Sequence, residues 1–229
     1  MFSCNGKSIK VGKLEVCGSS IPAGKVGGDF FEFITQNEKA VFAAIGDVMG
    51  KGFRAAYLME TIRQQMLREM YQLLRPIEVV KRLNRIGGNE LRRHGAFVTL
   101  FIICCDAETG CMKCVNAGHH PPILLTGGEV KVLKSRGVAL GLLDDYVGSG
   151  EEEIYLSSGD ALVMYTDGLV EACGPGDERY GLERLKKIVS IQQNFSAEKL
   201  RNCILADLEK FTFGYSQRDD ITLVVVKAL

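Results

Sequence analysis

The chain has 229 residues, 46% of them hydrophobic, with Lys+Arg and Asp+Glu both at 28 and a formal net charge of zero. That size and apolar content suit one domain with a substantial core and exclude a disordered chain. The balanced charge gives no case for nucleic acid or an anionic membrane as partner, and no apolar run approaches the ~18 residues of a membrane span.

In chain order, residues 1–7 lack the apolar segment of a signal peptide, so cytoplasmic residence is expected. Residues 13–19 read as an opening strand. Residues 30–34 and 40–45 are apolar and aromatic runs around the polar turn 35–39, and they read as a hairpin. A helix is predicted from Phe53 to about Leu74, because Leu58, Met59, Ile62, Met66, Met70 and Leu73 recur at intervals of three and four. Pro76 suits the first turn of a second helix, whose apolar face carries Val79, Val80, Leu83 and Ile86. Gly87-Gly88 is expected to break it, since each Gly costs ~1 kcal/mol against Ala in a helix interior.

Strands return at 97–105 and 112–116, joined by a turn at 106–110. Short strands are expected at 123–125 and 130–133, and another at 161–166. Helices follow near 182–189 and 197–211, and the chain closes on the β-branched strand 221–226. No repeat, low-complexity tract or linker interrupts it, so residues 1–229 are read as a single domain. Groups of strands separated by paired helices predict an α+β fold with mainly antiparallel sheets covered by helices.

Four of the eight cysteines, Cys104, Cys105, Cys111 and Cys114, flank the 106–110 turn, and the last two form a C-x-x-C. Zinc or redox regulation is one reading. In a strand, however, positions three apart point to opposite faces, so Cys111 and Cys114 cannot converge on one ion, and buried free thiols are expected instead.

The chemistry is carried by acids at strand boundaries. Asp29 precedes 30–34, Asp47 follows 40–45, Asp167 follows 161–166, and Asp219 with Asp220 precedes 221–226. Antiparallel pairing puts the start of one strand beside the end of its neighbour, so Asp29 should meet Asp47 across the hairpin. If the 161–166 strand pairs with the last strand, Asp167 meets Asp219 in the same way. Four carboxylates in one cleft would repel, and hard divalent cations resolve that repulsion. Oxygen-only ligation points to Mg²⁺ or Mn²⁺. Two such ions can polarise a water and clamp a phosphoryl group, which is phosphatase chemistry. Glycines at 27, 28, 46, 50 and 168 leave room for tight turns and for a backbone carbonyl ligand. The strand-end argument leaves Asp219 and Asp220 unseparated.

The same residues carry a resemblance. The stretches GGDFFEF (27–33), GDVMGKG (46–52), FVTLF (97–101), NAGHHPP (116–122), GVALGL (137–142), GDALVMYTDGLVEA (159–172), RYGLERL (179–185) and RDDITLVVV (218–226) run in order over residues 14–227. The sequence resembles the SpoIIE-type branch of the PPM/PP2C metal-dependent serine/threonine phosphatases. That resemblance implies a four-layer α-β-β-α sandwich with a dinuclear Mn²⁺ or Mg²⁺ centre. It implies that Asp47 bridges both ions, that Asp29 and the Val48 carbonyl serve one, and that Asp167 and Asp219 serve the other. The family pattern favours Asp219 over Asp220. Many relatives carry His two residues after the bridging Asp; here that position is Met49, so metal-bound water is expected to protonate the leaving group. No phosphate-binding Arg precedes Asp29, and the nearby Lys25 and Lys51 read as solvated surface side chains. His119 and His120 are placed in the scaffold, and His94 at a helix end.

Relatives of this branch act on phosphoserine or phosphothreonine of regulatory proteins, notably STAS-domain proteins in stress and sigma-factor signalling. The resemblance therefore implies a phosphorylated STAS-domain partner, and a free-standing catalytic domain like the stressosome-directed feedback phosphatases. The alternative is a catalytically weak phosphatase-like binding module in the same partner-switching pathway. The helix pair 53–94, with Met59, Met66 and Met70, is the candidate regulatory element and homodimer face, although helical-spaced Met also suits a simple core.

Overall fold

The computed structural model describes residues 5–36, 38–73, 75–134, 136–148, 150–191 and 194–229. Residues 1–4 of the N-terminal reading, the turn residue Asn37 and the helix-end residue Leu74 lie outside the described residues. Two antiparallel sheets form the centre. The first has the order β1 (Asn5–Val11), β2 (Leu14–Ile21), β11 (Ile221–Ala228), β10 (Ala161–Tyr165), β7 (Ile123–Thr126), β8 (Glu129–Val132). The second has the order β3 (Asp29–Gln36), β4 (Ala40–Val48), β5 (Val98–Asp106), β6 (Cys111–Ala117), β9 (Glu152–Tyr155).

Side chains between the sheets form one apolar cluster. Phe33, Val41, Ile45, Phe101 and Ile103 from the second sheet meet Val16, Leu162, Met164, Val224 and Val226 from the first. The outer faces are covered in turn. α1 (Gly52–Gln72) and α2 (Pro76–Arg93) pack on the second sheet through Leu58, Ile62, Met66, Val80, Leu83 and Leu91. α4 (Leu182–Ile191) and α5 (Ala197–Phe211) cover the first through Leu185, Val189, Leu200, Ile204 and Leu208. The layers are therefore α-β-β-α. Strands buried on both faces lose the apolar/polar alternation, which is why β11 reads as the near-continuous run ITLVVVKA, buried throughout. Fully burying each Val or Leu there contributes ~1.5–3 kcal/mol.

Four local expectations are corrected. α2 runs unbroken through Gly87 and Gly88. A Cβ on Gly87 would come within 2.6 Å of Ile62 Cδ1, so glycine permits close approach of the two helices, and packing overrides its poor propensity. Ile86 is exposed rather than on the apolar face, a place taken by Gly87 and Leu91. Met66 and Met70 are fully buried in the helix–sheet core and Met59 is partly buried against it, so these side chains suit the simple core rather than an adaptable contact face. The strands β1 and β9 add edges that sequence reading missed. Among the described residues, no helix is long and apolar enough to cross a membrane.

Candidate metal centre

β3 and β4 pair so that Asp29 and Asp47 are direct register partners at the open end of the hairpin. Asp29 is buried, and its Oδ2 accepts a hydrogen bond from Thr166 Oγ1 at 2.7 Å. The Thr166 hydroxyl in turn accepts from the Thr222 amide at 2.9 Å. One threonine thus ties a carboxylate of the second sheet to the last strand of the first.

The other pair comes from β10 and β11. Their register, Tyr165 opposite Leu223, continues through a hydrogen bond from Thr166 N to Thr222 O, so Asp167 emerges beside the start of β11. Asp167 opens a short helical turn, α3 (Asp167–Val170), whose Gly168 is obligatory: a Cβ there would lie 1.9 Å from the Asp220 carbonyl oxygen.

The adjacent acids Asp219 and Asp220 do different work. Asp220 Oδ1 accepts from Ala23 N at 2.8 Å, and Oδ2 accepts from Gly28 N at 2.7 Å. Its carboxylate is a clasp on the loop leading into β3. Asp219 is half-exposed; its Oδ1 accepts from Asp220 N, and its Oδ2 lies 3.0 Å from Lys51 Nζ. Lys51, expected to be merely solvated, is therefore part of the site. It also donates to the Arg218 carbonyl at 2.8 Å.

The acids lie close enough to feel one another's charge. The Asp47 carboxyl is pushed up to about 6, by burial first and then by the charges of Asp167, Asp219 and Asp220. Asp29 is held well above the usual carboxylate range by burial and by Asp47, against the pull of the Thr166 and Thr222 hydrogen bonds. The Val48 carbonyl faces the same place. A Cβ on Gly28 would come within 2.8 Å of Val48 O and 3.5 Å of Asp47 Oδ1, so glycine keeps that approach open.

This donor set fits hard divalent cations: the donors are oxygens, their charges repel, and Asp29 among them is buried. Among the described residues, no three His, Cys, Asp or Glu side chains already stand gathered as a ready-made coordination group. The acids therefore act on one another's charge without being drawn onto a common point.

The remaining candidates fall outside the cluster. Met49 is half-exposed and offers no proton. His119 is buried, with Nδ1 hydrogen-bonded to Thr99 Oγ1 at 2.8 Å and its amide donating to Asn116 Oδ1 at 2.7 Å. Burial pushes its imidazole down to about 3, as befits a neutral scaffold group. His94 caps α2. Cys104, Cys105, Cys111 and Cys114 are free thiols, with Cys114 buried and Cys111 half-buried on the β5–β6 hairpin. Beside Asp219 opens a cavity of about 480 Å³, lined among others by Lys51, Cys173, Arg179, Tyr215 and Arg218.

Residues 37–229 match the family model described as Stage II sporulation protein E (SpoIIE). The chain belongs to the SpoIIE family. This SpoIIE-family chain is 28% identical over 218 residues to the phosphoserine phosphatase RsbU of Bacillus subtilis (strain 168), covering 93% of this chain and 63% of RsbU. It is 28% identical over 233 residues to protein IcfG of Synechocystis sp. (strain ATCC 27184 / PCC 6803 / Kazusa), covering 90% of this chain and 36% of IcfG. The chain thus spans less than two thirds of these relatives' lengths. Its fold is that of the SiaA-PP2C domain of Pseudomonas aeruginosa, with a TM-score of 0.81 at 20% identity over 92% of this chain and 85% of that one. It also matches RsbX, solved in complex with magnesium, with a TM-score of 0.74 at 18% identity over 98% of this chain and all of that one. The SpoIIE-type membership and the PP2C-like sandwich expected from the motifs are therefore found.

Proposed function

We propose that this chain is a divalent-metal-dependent protein phosphatase acting on phosphoserine or phosphothreonine, working as one catalytic unit over its whole length. The observation that carries the reading is the direct pairing of buried Asp29 with Asp47, in a cleft where Asp167 and Asp219 raise the Asp47 carboxyl. The kinship with RsbU, a phosphoserine phosphatase by name, supports the same activity.

In this reading Asp47, Asp29, the Val48 carbonyl, Asp167 and Asp219 would hold two ions, Mn²⁺ or Mg²⁺. When bound, they supply the charge that activates water and neutralises phosphoryl oxygens. The chain's own residues do the rest. Thr166 orients Asp29 through its 2.7 Å hydrogen bond. Asp220 anchors the 23–28 loop, so that Asp29 and Val48 O stay on the same side of the cleft. Lys51 and Arg218 place cations at its mouth, where a phosphomonoester dianion approaches. No side chain stands at Met49 to protonate the leaving serine.

The substrate in this reading is a phosphorylated STAS-domain regulatory protein in a cytoplasmic stress or sigma-factor pathway. The test is phosphate release from a phosphoserine protein, with Mn²⁺ and with chelator. Metal-dependent turnover supports the reading. Its absence on both protein and aryl phosphates favours a non-catalytic binding module instead.

A further inference from the structure

Lys51 is the one cation that the structure places on the acid cluster itself among the described residues. Its Nζ lies 3.0 Å from Asp219 Oδ2 and donates to the Arg218 carbonyl at 2.8 Å, so the ammonium is held from two sides rather than left to wander in solvent. Lys51 comes from the second-sheet side, in the N-cap position of α1 just after the Asp47–Val48 strand end. Asp219 and Arg218 come from the first-sheet side, just before β11. The contact therefore bridges the two sheets at the end where the carboxylates gather. Asp219 Oδ1 already accepts from the Asp220 amide at 3.0 Å, so Oδ2, the oxygen facing Lys51, is the less encumbered one.

We propose that Lys51 is a built-in counter-ion that positions Asp219 and competes with a divalent ion for its Oδ2. Two cations at contact distance from one carboxylate oxygen repel, so metal capture at Asp219 is favoured when the ammonium swings away. The side chain can do so: it is long and two-thirds exposed, and an exposed ion pair is weak enough to exchange. The pair thus serves as a placeholder, offsetting carboxylate repulsion while lowering the affinity of the ion that Asp219 serves. This inference rests on the metal-centre reading above, and the test keeps the two separable.

The experiment is calorimetric Mn²⁺ titration of the chelator-stripped full chain, without substrate. Lys51→Met is expected to tighten Mn²⁺ binding by roughly two- to fivefold, the range of an exposed ion pair. Lys51→Arg, which keeps the charge, is expected to stay near wild type. Lys25→Met, which removes a cation from the same mouth, is expected to change little. In an Asp219→Asn background the effect of Lys51→Met should vanish, because the coupled partner is gone. Unchanged affinity in Lys51→Met, an equal gain in Lys25→Met, or a gain that persists in Asp219→Asn would each overturn the placeholder role. Failure of wild type to take up Mn²⁺ at all would overturn the metal centre itself, and the placeholder with it.

Discussion

Asp29 and Asp47 face each other as register partners across β3 and β4, and the first of them is fixed by the Thr166 hydroxyl of the opposite sheet. Burial and the Asp47 charge raise the proton affinity of Asp29, and burial with the charges of Asp167, Asp219 and Asp220 raises that of Asp47, so the ionised cluster works against the fold. Their arrangement makes sense as a site that something positive completes.

Asp47→Asn removes one of the two charges without changing side-chain volume. Phosphatase activity is expected to fall by a factor of about 10² or more, the loss typical of removing a principal electrostatic group. In chelator the melting temperature should match or exceed that of wild type, because repulsion is relieved. Thermal scans with and without Mn²⁺ check both halves; in the variant the Mn²⁺-induced rise should shrink or disappear.

Asp219 and Asp220 should separate cleanly. Asp220→Ala strips the acceptor from two backbone amides, Ala23 N and Gly28 N, and is expected to cost about 3 kcal/mol of stability or more, given that hydrogen bonds to charged groups contribute ~1.5–3 each. Asp219→Ala, at a half-exposed carboxylate, should leave urea midpoints within about 0.5 kcal/mol of wild type while weakening Mn²⁺ binding.

Gly168→Ala is expected to be severely destabilising, by about 3 kcal/mol or more, because the new Cβ would sit 1.9 Å from a backbone oxygen that cannot move without shifting β11. Chemical denaturation reads this directly. A stability loss under 1 kcal/mol would show that the α3–β11 junction is looser than described.

His119 supplies a pH dependence. Its imidazole lies near 3 when folded, against 6.5 ordinarily, because it is buried. The unfolded chain binds the proton first, so this group's stability contribution is complete above about pH 6.5 and is lost as pH falls toward 3, by about 1.4 kcal/mol per unit within that window. Comparing urea midpoints of wild type and His119→Gln at pH 7 and pH 5 isolates the effect. Wild type should lose stability relative to the variant at the lower pH.

Much of this was legible because antiparallel pairing converts sequence position into spatial position. An acid just before one strand and an acid just after its neighbour must meet, and Asp29 with Asp47 do so in direct register. The apolar runs at 40–45 and 221–226 announced the strands β4 and β11. The edges were not legible. β1 and β9 carry Lys, Glu and Ser among few apolar residues, the usual dress of strands exposed on one side. The continuity of α2 through Gly87 depends on the Ile62 side chain of another helix, which no local pattern can reveal. The same holds for the division of labour between Asp219 and Asp220, which is set by the distant Ala23 and Gly28 amides, and for Lys51, which pairs with a residue 168 positions away.

The most direct measurement is a crystal structure of the chain grown or soaked with Mn²⁺, with anomalous maps at the manganese edge. The account predicts two peaks flanking the Asp47 carboxylate, one toward Asp29 and Val48 O and one toward Asp167 and Asp219, with Lys51 turned away from Asp219. Anomalous density elsewhere on the molecule, or none in this cleft at millimolar Mn²⁺, would contradict it.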